Sequence, residues 1–103
     1  MQIEVLHIRD CPSWTEAGRR VREALALTGR DRDVIHFRLL ESVKEAALVP
    51  FSGSPTILVD GADLFPGGER TSRLACRVYA TPNGLSGMPT TEQIVDAMDA
   101  RGR

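Results

Sequence analysis

No apolar run in this 103-residue sequence is long enough to cross a bilayer, which excludes a transmembrane helix. The chain opens directly on a strand-like segment, without the charged and apolar regions of a secretory leader, so a cytoplasmic location is expected. There is no surplus of basic charge either: 13 Lys and Arg stand against 14 Asp and Glu, a formal net charge of −1. A nucleic-acid binder needs excess cations to displace phosphate counterions, so that class is set aside. Cysteine is scarce, with only Cys11 and Cys76, and neither C-x-x-C nor H-x3-H spacing occurs, so no metal ligands are assigned. In a reducing compartment two cysteines point to function more than to a permanent staple. Internal repeats and low-complexity segments are missing too.

What is present is the composition of a folded domain. Hydrophobic residues make up 42% and charged residues 26%, which separates the chain from disordered sequences. The length supports one core, so residues 1–103 are read as a single domain.

The chemistry concentrates in the stretch IEVLHIRDCPSW. Residues 3–8 are strand-prone and apolar, and a helical pattern begins directly after Cys11-Pro12. A cysteine at that junction sits near unpaired backbone N–H groups and the positive end of the helix dipole, which together favour a thiolate. Pro12 suits the first helical position, with Cys11 as N-cap. Ser13-Trp14-Thr15-Glu16 also matches a capping box, which would start the helix two residues later. An inert, buried Cys11 is the plain alternative.

Further along, Trp14, Ala17, Val21, Ala24 and Leu25 recur at helical spacing, and Gly29 offers a stop. Residues 34–40 read as a second strand covered on at least one face, parallel to the first across a right-handed βαβ crossover. Ser42 to Glu45 forms a second capping box that opens a short helix running to residue 49. Pro55 introduces a strand over residues 56–59, because proline has no N–H for a ladder and lies at strand starts. Asp60-Gly61 then turns into an antiparallel partner over residues 62–65. Residues 69–80 look helical, with Leu74, Ala75 and Val78 on one face, and residues 81–88 read as loop. A T-x-x-Q box at Thr90 starts the last helix, whose buried stripe is Ile94, Val95 and Met98, and residues 101–103 are expected to fray. His7 and His36 lie in strands among apolar neighbours, where hydrogen-bonded structural roles are expected; His7 could also tune Cys11 from beneath.

The order β-α-β-α-β-β-α, with Cys11-Pro12 at the first strand-to-helix junction and Ser54-Pro55 before the third strand, resembles the thioredoxin-like superfamily. The resemblance runs from residue 3 to about residue 80, with the terminal helix added. The Cys-Pro order and the Gly67-Gly68 pair after the fourth strand are more similar to glutaredoxins than to thioredoxins. The segments GSPTILVDGADLF, ACRVY and GLSGMP also resemble small bacterial thioredoxin-like proteins of unsettled function. This implies an α/β fold with a four-stranded mixed sheet, Cys11 as nucleophile, a cis Pro55, and a Ser54 backbone that pairs with an extended substrate. It further implies a substrate groove bordered by Pro12, Trp14, Gly67 and Gly68.

One departure matters: the second cysteine of a C-x-x-C pair is replaced by Trp14, leaving C-P-x-W. The implied function is therefore a thiol-dependent redox protein that forms mixed disulfides through Cys11, with no cofactor beyond glutathione or another small thiol. Its partners are protein or small-molecule thiols and disulfides, and a homodimer is an open assembly. Resolution falls to an outside thiol or to Cys76. On the expected fold Cys76 sits two helical turns, about 11 Å, from the helix end that approaches Cys11. That exceeds the Cα separation of roughly 4.4–6.8 Å that a disulfide tolerates, so a bridge, an inert Cys76 and a separate role all stay open. The alternative function is a non-catalytic binding module for a soft metal, a thiol-reactive small molecule or a partner protein.

Overall fold

The computed structural model describes residues 1–101. Gly102 and Arg103, where fraying was expected, lie outside the described residues. Nine elements follow in order: β1 (Ile3–His7), α1 (Ser13–Leu27), β2 (Ile35–Leu39), α2 (Val43–Ala47), β3 (Thr56–Val59), β4 (Ala62–Asp63), β5 (Tyr79–Thr81), β6 (Gly84–Ser86) and α3 (Thr91–Arg101).

The first four strands form one mixed sheet in the order β2-β1-β3-β4, and β5 and β6 pair separately. β1 runs parallel to β2, as the βαβ pattern predicts, and antiparallel to β3. Alternation along β1 sends side chains to opposite faces. Ile3 joins Val21, Ala24 and Leu25 of α1 and Ile94 and Met98 of α3 in one core. Leu6 and Ile8 join Leu40, Ala46, Phe51 and Leu58 in a second, on the α2 side. Cys11 belongs to this second cluster.

The local signals hold in most places. Ser42 accepts the Glu45 N–H at 3.1 Å, capping α2, which ends at Ala47 and not at residue 49. Thr90 and Gln93 bond reciprocally at the start of α3, each accepting the other's backbone N–H. Asp60 and Gly61 both take positive φ, 52° and 84°, the pair of values a tight hairpin turn demands. β4 is only two residues long: the Leu64 N–H still reaches the Ile57 carbonyl at 2.8 Å, and the Asp63 carboxylate then accepts the Phe65 N–H as the chain turns away. At the other edge β2 has β1 on one side only, and residues 36–38 are exposed. For α1 neither expected cap is used: the helix begins at Ser13, Pro12 is its N-cap, and no side chain bonds there.

One expectation fails outright. Residues 69–80 form no helix, and residues 81–88 are not simply loop, since a β5–β6 hairpin spans residues 79–86. The supposed apolar stripe is not buried: Leu74 and Val78 are exposed, while Arg77 and Tyr79 point inward. Inward Arg77 and Tyr79 alternate with outward Cys76, Val78 and Ala80, a period of two. The anchors of Arg77 and Tyr79 described below outweigh the helical pattern of the apolar residues.

Candidate functional site

The sulfur of Cys11 is organised by Ser54. Cys11 precedes α1, with its own N–H reaching back to the Ile8 carbonyl at 3.4 Å, and its thiol donates to the Ser54 carbonyl at 3.4 Å. Ser54 is wholly buried and every polar group on it is engaged: its hydroxyl accepts the Ile8 N–H at 3.1 Å. Its N–H donates to the Ala75 carbonyl at 2.8 Å, and its carbonyl also accepts the Arg77 N–H at 2.8 Å. The Ser54–Pro55 peptide is cis, as expected from the resemblance.

Those last two bonds make a parallel bridge between Ser54 and Cys76. The backbone edge expected to receive an extended substrate is thus occupied by the chain's own residues 75–77. The same bridge brings Cys76 beside Cys11, removing the two-turn separation that a helix would have imposed. Both cysteines are free thiols, Cys11 only 2% exposed and Cys76 open to solvent. A hydrogen bond with the Cys11 side chain is the main influence on Cys76; together with partial burial and the charges of Cys11 and Asp10 it pushes the Cys76 thiol up to about 11.

Residues 75–81 are held by side chains that sequence reasoning passed over. Arg77 ion-pairs with Asp63 at 2.8 Å, with both side chains largely buried. It also donates to the Phe65 carbonyl at 2.7 Å and lies over the Tyr79 ring, 4.5 Å from its centroid. The Tyr79 hydroxyl donates to the Pro55 carbonyl, and burial pushes this phenol well up from its ordinary range. Gly53 lets the strand approach: its φ is +103°, and a Cβ there would stand 2.8 Å from the Arg77 Cβ and 3.0 Å from its Cα. The sequence signal was present as alternation across Arg77 and Tyr79, but a buried arginine reads as a surface residue until its partner, Asp63, is known.

The remaining expected residues divide. Pro12 is exposed at the helix start, next to Cys11. Trp14 faces the other side, stacked on His7 with centroids 4.3 Å apart and meeting Phe37 edge-on. Gly68 backs onto the Arg77 guanidinium, so the Gly67-Gly68 pair adjoins the anchor of residues 75–77. His7 shares the Trp14 side of the sheet while Cys11 packs on the α2 side, so the histidine stacks on Trp14 instead of lying beneath the thiol. Burial lowers its pKa, partly offset by the Ile8 backbone, and among the described residues its Nδ1 has no partner.

Two surface cavities bear on chemistry. One of about 210 Å³ is lined by Ile8, Arg9, Asp10, Leu40, Glu41 and Leu74, so it flanks the turn that leads into Cys11, although neither cysteine is on its wall. A larger one of about 520 Å³ lies between α1 and the start of α3, but its cations are committed: Arg19 bonds Glu16 and Glu23, and Arg20 bonds Glu16. Neither cysteine lines the larger hollow. Among the described residues no three His, Cys, Asp or Glu side chains gather as a metal site, and none of the helices is long and apolar enough to cross a membrane. Comparison with protein-family models, curated proteins and solved structures finds no match to this chain.

Proposed function

We propose that this chain is a thioredoxin-like protein whose working unit is the Cys11 and Cys76 pair, cycling between dithiol and disulfide. The observation that carries the reading is the Ser54–Cys76 bridge, which sets an exposed thiol beside a buried one over a common backbone anchor. Cys76 replaces the second cysteine of a C-x-x-C pair, the position taken by Trp14. Resolution then needs no second protein: one cysteine accepts an outside sulfur and the other displaces it.

The test is intact mass after mild oxidation of the reduced chain. The expected product is a monomer lighter by two hydrogens, absent in Cys11→Ser and in Cys76→Ser. A chain that yields only intermolecular dimers through Cys76, or no bridge under any oxidant, removes the basis for the reading.

A second reading is favoured by the same pair. Two neighbouring sulfurs are a donor set for a soft monovalent cation, and the buried state of Cys11 suits holding more than turnover. Stoichiometric capture of such a cation by the reduced chain, with no disulfide exchange, selects this binding module over the redox protein.

A further inference from the structure

The proposed thiol cycle leaves open what brings the outside sulfur, and the surroundings of the pair bear on that question. An extended polypeptide docks beside a reactive group by adding itself to a free backbone edge. At this site the edge is closed. The Ser54 N–H and carbonyl are both taken by residues 75–77, and Pro55 has no N–H to offer. The covering strand is not loosely laid, since Arg77 is anchored to Asp63 and to the Phe65 carbonyl and Tyr79 to the Pro55 carbonyl. Cys11, at 2% exposure, has no face an incoming disulfide could meet. Cys76 is exposed and does, and the hollow that begins two residues before it at Leu74, lined also by Ile8, Asp10 and Leu40 and not by either cysteine, encloses about 210 Å³. That is below the 300–1,000 Å³ or so of sites for drug-sized ligands.

Resting on the redox reading, we propose that the outside disulfide is a small molecule, not a polypeptide, and that Cys76 receives it while Cys11 closes the bridge from beneath. In the first step the Cys76 sulfur bonds to one sulfur of the disulfide RSSR. The S–S bond of RSSR breaks, and one RSH departs with the Cys76 proton. In the second step the Cys11 sulfur bonds to Cys76 as the bond to the remaining RS group breaks, and the second RSH departs with the Cys11 proton. Two electrons pass from the cysteine pair to the outside disulfide, and nothing else is consumed.

The experiment uses the full reduced chain with two probes, 2-hydroxyethyl disulfide and a disulfide-linked peptide dimer. Each rate is divided by that probe's rate with free cysteine, which removes intrinsic reactivity. The small probe is expected to oxidise the chain faster than the peptide by about tenfold or more, because access limits the peptide. Cys11→Ser, with Cys11→Ala as a second variant should the first fold poorly, is expected to accumulate a mixed disulfide on Cys76. Cys76→Ser is expected to be modified at Cys11 about tenfold more slowly or less, and adding Arg77→Ala should raise that rate by freeing the covering strand. Equal normalised rates for the two probes, or a Cys76→Ser chain modified as fast as Cys11→Ser, overturn the inference while leaving the redox reading intact. Failure of the wild-type chain to form any internal bridge overturns the redox reading itself.

Discussion

Arg77→Ala is the most informative single perturbation, because one side chain ties residues 75–77 to the sheet. The guanidinium is 7% exposed and Asp63 15% exposed, at a separation of 2.8 Å. Removing one partner of a buried ion pair costs about 3–5 kcal/mol, and the slight exposure of Asp63 sets the value near the low end. Losing the contact over Tyr79 adds about 0.5–1 kcal/mol, and the abandoned Phe65 carbonyl about 1 kcal/mol. These contributions share one group and overlap, so the expected net loss is about 3–4 kcal/mol. Against a typical stability of about 5–15 kcal/mol this is a large fraction, equivalent to a fall in Tm of about 15 °C for a domain of this size. Urea unfolding at unchanged slope measures it, and the alkylation rate of Cys11 measures whether the strand has come away. Arg77→Lys keeps the charge but not the planar fork and should fall between. A loss under about 1 kcal/mol, with Cys11 as protected as before, would refute the claim that Arg77 anchors this strand.

Four further expectations follow from the same geometry. Closing a Cys11–Cys76 bridge ties a long loop and should stabilise the oxidised chain by about 4 kcal/mol over the reduced one, read as a rise in urea midpoint; no rise refutes the pairing. Gly53→Ala places a Cβ at positive φ against the Arg77 backbone and should cost about 2–4 kcal/mol in the same assay. Asp10→Asn removes a charge that raises Cys76, so the alkylation profile of Cys76, centred at about 11, should move to lower pH. Trp14 is the sole tryptophan and stacks on His7, so its fluorescence should report the imidazole. Burial lowers His7 from its ordinary 6.5, so the imidazole is neutral above that value and its packing is kept there. The inflection, and any loss of stability linked to it, should appear as pH falls below 6.5, and one above 6.5 would contradict the burial argument.

The parts of the fold that were legible in sequence are those governed by local chemistry. Ser42 and Thr90 announced their helices because capping boxes satisfy N–H groups within a single turn. Asp60-Gly61 announced its hairpin because few residue pairs tolerate two positive φ angles. That Cys11 and Ser54-Pro55 are neighbours is implied by the resemblance to the thioredoxin-like superfamily and not by any local signal, and the Cys11 thiol does meet the Ser54 carbonyl. Residues 69–88 are illegible for the opposite reason. Their conformation is decided by Asp63, Phe65, Ser54 and Pro55, none of them local, and the apolar spacing of Leu74, Ala75 and Val78 agrees with a helix by coincidence. Where local propensity is weak, distant partners decide, and a window over one segment does not contain them.

The buried ion pair is better understood through register than through stability. Apolar residues of similar volume often match such a pair in free energy, so stability alone is a weak reason for Arg77 and Asp63 to be where they are. Register is different, since a slip of one residue turns every side chain in a strand to the opposite face. Arg77 is keyed on both sides, its Cβ against Gly53 and its guanidinium against Gly68 and Asp63, so residue 77 cannot exchange places with 76 or 78. With residue 77 fixed inward and its N–H on the Ser54 carbonyl, residue 76 must face outward beside the sulfur that donates to that same carbonyl. The position of the exposed thiol relative to the buried one is therefore set by an arginine and an aspartate that do not touch either sulfur.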